Sequence, residues 1–405
     1  MSIEPAKTAD EQRSQVQRRA TGRRPIDVMF IGLRSIGGGQ GGVEKHVASL
    51  VEEYERRGLR TCVVVRSPYA AEDPPHVGSS TWTKSIWSPR KPSIEAIVHS
   101  LLATFYAGAV RPKVLHIHAV GPSLVAPLAR LLGLRVVSTH HGQDYDREKW
   151  GTFAKFALRV GERFQASFSN GRICVSSSLS EQLTDRYNTD FVYIPNAVRA
   201  PVSPVNFDAL GQFGITAGKY IVNVSRLVPE KRQLDLIAAY KLLDRPDLKL
   251  VLVGGADHVS DYSEELHRVA QATPGVVLTG FQQGDTLMQL IAGAAVFALP
   301  SSHEGMPIAA LEAMSMHRPV VLSDIAPNLD LGLPTSAYHK VGSVESLAKR
   351  LKETLASHAH EPVASQDWSA ALQFYDWSTV ADQTLQVYAR ASAKFARLAG
   401  VPSSL

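Results

Sequence analysis

The sequence predicts an α/β protein of two Rossmann-like, doubly wound parallel-sheet domains. Three observations carry this. Short apolar runs of strand length alternate with amphipathic helical stretches, the pattern of parallel sheets covered by helices. The alternation breaks in a Pro-containing stretch at 200–204 and restarts at 220. A chain of 405 residues is long for one domain and suits two of about 170–190 each.

In order, a strand over 26–32 ends in Gly-rich sequence and a helix over 43–57 follows. In that helix Val47, Leu50, Val51 and Tyr54 recur at i, i+3, i+4 and i+7. A strand at 61–66, a Pro-rich loop with Pro74-Pro75, a helix near 93–107 and a strand at 114–118 come next. A helix at 122–132, strands at 135–139 and 171–175, and a helix at 178–187 complete the first half. The second half reads strand 220–224, helix 233–243, strand 249–254, helix 263–272, strand 276–279, helix 285–292 and strand 294–299. A helix containing Glu312 and a strand at 320–322 follow, and a last helix spans 377–399. The predicted divisions are a disordered basic tail over 1–24, a first domain over 25–199 and a linker over 200–216. A second domain covers 217–376, and a C-terminal helical segment covers 377–405.

Composition is that of a soluble globular chain, 44% hydrophobic and 20% charged. The net charge of +5 does not point to nucleic acid, because residues 1–24 hold six basic residues against three acidic ones. Such a segment is either a solvated tail or one that touches an anionic membrane. Cys62 and Cys174 lie in separate strand-like runs, so neither a disulfide framework nor a zinc site is expected and a reducing cytoplasm is. No run of eighteen apolar residues occurs, so no transmembrane helix is expected, and the polar, charged start carries the expectation of no signal peptide.

The most informative motif runs from Ser301 to Met314 and sets Glu304 and Glu312 eight residues apart. Glu304 falls in a strand-to-helix loop, and Glu312 about a turn and a half into the helix whose first turn tolerates Pro307. Loops at the carboxyl edge of such sheets bind ligands. Carboxylates only accept hydrogen bonds, so a ligand bearing hydroxyls at both ends suits the pair. Taken alone, the pair also fits a helix-capping Glu304 and a solvated Glu312.

Four other stretches sit at predicted strand ends. Gly37-Gly38-Gly39-Gln40-Gly41-Gly42-Val43-Glu44-Lys45-His46 lets backbone approach a phosphate or sugar at a helix N-terminus. It is not a clean G-x-G-x-x-G, and Arg66 stands where a dinucleotide fold needs an acid, which disfavours an oxidoreductase. Leu115-His116-Ile117-His118 places both histidines on one strand face, His116 as a core residue and His118 at the tip. Thr139-His140-His141-Gly142-Gln143-Asp144-Tyr145-Asp146 contains a D-x-D, the metal motif of a single-domain transferase fold that would leave the second domain unexplained. The histidines 116, 118, 140 and 141 lack a Cys or carboxylate to complete a metal set. Asn223-Val224-Ser225-Arg226-Leu227-Val228-Pro229-Glu230-Lys231-Arg232 puts Arg226 and Lys231 at a strand edge beside a helix start, a cradle for a diphosphate.

Glu304-x7-Glu312 in an E-G-x-P setting, with G-G-V-E-K-H and S-R-L-x-x-E-K, resembles the retaining glycosyltransferases of family 4. The resemblance runs from about Pro25 to the C-terminal helix. It implies the GT-B fold: two domains facing a cleft, with the last helix crossing back to the first. It implies that Glu304 lies near the donor sugar, that Glu312 holds the nucleotide's ribose hydroxyls, and that Gly305, Met306 and Pro307 complete that wall. Arg226 and Lys231 would neutralise the leaving diphosphate, and His118 would lie beside the reacting sugar. Gly41 and Gly42 would line the diphosphate side, and Gly254 and Gly280 the base side, where Gly255-Ala256-Asp257 departs from the family's usual G-x-G-P. The T-H-H-G-x-D-Y-x-x-x-K-W-G pattern resembles a bacterial polysaccharide-assembly branch and implies that His140 or Asp144 faces the acceptor. The implied partners are a nucleotide-sugar donor and a saccharide or lipid-linked saccharide at the cytoplasmic membrane face, with no cofactor or metal. Rival readings are a GT-B epimerase or hydrolase, and a non-catalytic subunit, which would need none of the four charged residues. Over 147–172 basic residues interleave with aromatics, which fits either a core-facing helix or one lying in a membrane interface.

Overall fold

The computed structural model describes residues 25–36, 41–72, 78–90, 92–143, 151–199, 206–256, 259–360, 363 and 365–399. The basic tail and Asp144 lie outside the described residues.

The first sheet is built from β1 (Val28–Ile31), β2 (Thr61–Arg66), β3 (Thr81–Ile86), β4 (Val114–His118), β5 (Val136–His140), β6 (Gly171–Cys174) and β7 (Val192–Tyr193). Its helices are α1 (Gly42–Arg56), α2 (Pro92–Val110), α3 (Ala126–Leu131), α4 (Thr152–Phe168) and α5 (Ser177–Tyr187). Every pairing is parallel, in the order β3-β2-β1-β4-β5-β6-β7. The central strands β1, β2, β4 and β5 are buried throughout, the consequence of helices on both faces.

The second sheet comprises β8 (Tyr220–Val224), β9 (Lys249–Val253), β10 (Val276–Gly280), β11 (Val296–Leu299), β12 (Val320–Ser323) and β13 (Tyr338–His339). They pair in parallel in the order β10-β9-β8-β11-β12-β13. With them run α6 (Gln233–Lys241), α7 (Asp261–Gln271), α8 (Gly284–Ala292), α9 (Ile308–Ser315), α10 (Ala326–Leu329), α11 (Val344–Ser357) and α12 (Ser369–Leu372). Two sheets of this kind, with the last helices on the first, are the architecture the sequence predicts. In each sheet the strand order reverses once, at β1/β4 and at β8/β11. Loops at these switch points diverge and leave a crevice at the carboxyl edge.

The chain ends in α13 (Trp377–Ala391) and α14 (Ala393–Ala399). Helix α13 returns to the first domain and packs on α1, β5 and β6. The single helix expected over 377–399 is interrupted at Ser392, whose backbone is extended and whose hydroxyl donates to the Lys113 carbonyl (3.1 Å). That break turns Phe395 onto Tyr388 (ring centroids 5.3 Å) in the core. Strands β3, β7 and β13 and helix α11 were not among the elements the sequence predicts. Edge strand β3 reads TWTKSI, half exposed and without a continuous apolar run, whereas β7 and β13 are two residues long.

Candidate active site

Loops at the two switch points face each other. From the second domain, Arg226 follows β8 and Lys231 closes a short 3-10 turn (Pro229–Lys231). Gln233 holds this loop by donating its side-chain amide to the Arg226 carbonyl (2.8 Å) and the Ser225 hydroxyl (2.9 Å). The loop after β11 is tied to it, since Ser302 N–H donates to the Glu230 carbonyl at 2.9 Å. The two loops thereby bring Lys231 and Glu304 into an ion pair, with both side chains largely buried. Arg232 instead adopts a left-handed backbone (φ 52°) and pairs with Asp235 at the start of α6. Of the two adjacent cations, Lys231 is therefore the one that faces the cleft.

Glycines set the walls. Gly254 (φ 145°) ends β9 so close to the β8 loop that a Cβ there would lie 1.9 Å from the Ser225 carbonyl oxygen. Its N–H donates to the Gly280 carbonyl (2.9 Å), joining the two base-side turns. Gly305 carries no Cβ for a reason that belongs to the whole cleft. A methyl group there would stand 1.7 Å from the His141 carbonyl oxygen of the opposite domain. Met306 also crosses, its sulfur accepting the Asn196 N–H (3.0 Å). Pro307 is the N-cap of α9, one position before the first turn. Glu312, on α9, forms an ion pair with Lys45 of α1, and a methyl group at Gly42 would just touch Ile308, 3.6 Å from its Cδ1. At Gly41 the helix N-terminus is covered by its own Glu44 carboxylate, which also accepts the Arg34 N–H (3.4 Å).

The first domain contributes a histidine cluster. His116 is satisfied within the core, hydrogen bonded to Tyr388 (2.6 Å) and Thr139 (2.7 Å). His118, at the tip of β4, shares a hydrogen bond between its Nδ1 and His141 Nε2 (2.9 Å). Its Nε2 is buried with no partner among the described residues. His46 of α1 bonds Asn196 (2.7 Å) and lies edge-on to His141 and Trp377. Burial holds the pKa of His118 and His141 well below the ordinary imidazole value, and the neighbouring imidazoles lower it further. Burial brings His46 to about 4, against a small opposing effect of the Asn196 bond. These rings are therefore neutral at physiological pH, and His118 can exchange hydrogen bonds but is not a cation.

His140 is placed elsewhere. Its Nε2 meets Glu162 of α4 (3.1 Å) and its Nδ1 accepts the Gly142 N–H (3.2 Å). The register pairs His118 with Thr139, so Thr139 shares His118's side of the sheet and His140 faces the other. The ring that joins His118 is His141, one residue beyond the strand. His46, Asn196 and His141 are the cleft residues the sequence reading passed over. The signal was present in G-G-V-E-K-H and T-H-H-G, but choosing among adjacent histidines needed the register. Among the described residues no group of three or more His, Cys, Asp or Glu is placed to hold a metal ion.

Comparison with known proteins covers both domains. Residues 40–200 match glycosyltransferase family 4, and residues 218–357 match glycosyl transferases group 1. An uncharacterised glycosyltransferase of Methanocaldococcus jannaschii is 30% identical over 236 residues, 53% of this chain and 59% of its own length. The α-maltose-1-phosphate synthase of Mycolicibacterium smegmatis is 27% identical over 314 residues, 69% of this chain and 79% of that protein. Sucrose-phosphate synthase from Thermosynechococcus elongatus superposes with a TM-score of 0.76 at 19% identity, covering 91% of this chain and 99% of that one. Anabaena HepE in complex with UDP and glucose superposes with a TM-score of 0.72 at 19% identity, covering 90% and 99%.

Proposed function

The chain belongs to glycosyltransferase family 4, and we propose that it is a retaining, metal-independent enzyme that extends a saccharide or lipid-linked saccharide from a nucleotide-diphosphate sugar. The observation that carries this reading is the Lys231–Glu304 pair across the cleft from the His118 Nε2, which no described residue bonds. In the reaction the acceptor hydroxyl oxygen bonds to the anomeric carbon as the bond from that carbon to the diphosphate oxygen breaks. The acceptor's proton passes to the leaving phosphate oxygen, so attack and departure share one face and configuration is retained. Arg226 and Lys231 stabilise the charge that develops on the diphosphate, fixed cations in the role a metal plays elsewhere. Glu304 and neutral His118 orient the sugar, and Glu312 accepts hydrogen bonds from the ribose hydroxyls. No side chain needs to act as a covalent nucleophile.

The relatives support a nucleotide-sugar donor, and the T-H-H-G-x-D-Y pattern supports an acceptor in cell-surface polysaccharide assembly at the cytoplasmic membrane face. A panel of nucleotide sugars, assayed for diphosphate release with and without saccharide acceptor and with a chelator present, tests the reading. Acceptor-dependent release that survives chelation is expected. Release without acceptor would make the protein a hydrolase or epimerase, and no release with any donor would make it a binding subunit. Lys231→Ala is expected to lower kcat about 100- to 1,000-fold, the usual loss on deleting one preorganised charge donor. Near-normal turnover in that variant would refute the diphosphate role.

A further inference from the structure

Helix α2 carries apolar residues on the side that faces water as well as on its inner side. His99, Ser100 and Thr104 are fully buried on its inner side, whereas Ile94, Leu101, Leu102 and Phe105 stand outward with 37–56% exposure. A helix with apolar residues on its outer face ordinarily meets another apolar phase. The adjoining elements continue the pattern. The turn and helix from Pro122 to Leu131 lie between α2 and α4, with Leu131 85% exposed. On α4, Phe153 (84%) and Phe156 (64%) point away from the core, so this helix is not wholly core-facing. The opposite face of the sheet is covered by α1 and α13.

Among the described residues of this stretch, exposed charge has one sign. Between residues 92 and 170 the described carboxylates are Glu95 and Glu162, and both are buried. Glu95 holds Arg66 (3.0 Å), and Glu162 holds His140, Arg186 and Tyr187. The exposed charged residues described there are Arg111, Arg135, Arg159 and Arg163.

We propose that the α2–α3–α4 face docks flat on an anionic bilayer, its aromatic and aliphatic side chains entering the interface and its arginines and Lys155 meeting lipid phosphates. No helix among the described residues is long and apolar enough to cross a membrane, so this is interfacial contact. A second copy of the chain fits the face poorly, because pairing would set arginines against arginines. Helix α4 starts at the sheet edge where His118 and His141 stand, so docking brings the cleft to the lipid surface. The inference deepens the lipid-linked acceptor reading, yet vesicle binding needs no turnover, so either can fail without the other.

The test is co-sedimentation of the full chain with phosphatidylcholine vesicles with and without phosphatidylglycerol. Wild type is expected to pellet with the anionic vesicles. Phe153→Ser with Phe156→Ser, and separately Lys155→Glu with Arg163→Glu, should each reduce binding at least about tenfold. Circular dichroism and turnover of a water-soluble acceptor should be unchanged, and the charge-reversal variant, confined to surface positions, carries the test if the Phe variant misfolds. Equal pelleting with neutral and anionic vesicles, or wild-type pelleting by both variants, would overturn the proposal. So would loss of binding on removing residues 1–24 alone, or a wild-type dimer that the face variants dissolve.

Discussion

His118 and Thr139 show how much one residue of register decides. Alternation along β4 places His116 and His118 together from sequence alone, but which histidine of the following pair joins them depends on how β5 pairs with β4. The resulting cluster has a measurable consequence. The folded-state pKa of His46, His116, His118 and His141 is depressed below the ordinary 6.5, to about 4 for His46. The unfolded chain therefore takes up protons from about pH 6.5 downward while the native protein does not. Stability is full above that pH and falls as pH drops toward 4, by as much as about 1.4 kcal/mol per pH unit for each histidine. A Tm series from pH 7.5 to 4.5 should fall steeply below about 6.5, and a flat profile would mean that the rings are not held neutral. Lys231 and Glu304, by contrast, were legible as separate residues, and only the tying of two loops made them a pair.

At the scale of elements, α5 has a cap that no local motif announces. Ser176 accepts the Leu179 N–H (3.3 Å), an ordinary N-cap. Asp330 of the second domain then accepts from the Ser176 hydroxyl (2.7 Å), Ser178 N–H (3.1 Å) and Ser178 hydroxyl (2.9 Å). A carboxylate at a helix N-terminus is favoured by the helix dipole, and this one also fastens the domains. Asp330→Ala is expected to cost about 1–2 kcal/mol in denaturant unfolding, while a change within about 0.5 kcal/mol would show that the contact contributes little. Most helices and inner strands were readable because burial on both faces demands continuous apolar runs. Strand β3 was not, since an edge strand has one neighbour and half its residues meet water. The break at Ser392 was hidden for a related reason, as its partner, the Lys113 carbonyl, lies 279 residues away in sequence.

For the molecule as a whole, the cleft is held together by contacts that cross it: Gly305 against His141, Met306 against Asn196, and Lys45 against Glu312. The last occupies one oxygen of the carboxylate proposed to hold the ribose, so Lys45 competes with the ribose hydroxyls for it. Lys45→Ala should tighten nucleoside diphosphate binding by up to about fivefold, the worth of a half-exposed ion pair, as read by calorimetry. Weaker binding would mean that Lys45 helps to hold the ligand. The sequence by itself determined the two parallel sheets and singled out the four charged residues Arg226, Lys231, Glu304 and Glu312. Those follow from local patterns: apolar periodicity, glycine and proline placement, and motif spacing. Only the tertiary structure decided that Lys231 meets Glu304, that His141 rather than His140 stands beside His118, and that α2 leaves apolar residues facing outward. Each depends on register or on which neighbour covers a face, and neither is encoded within reach of a single segment.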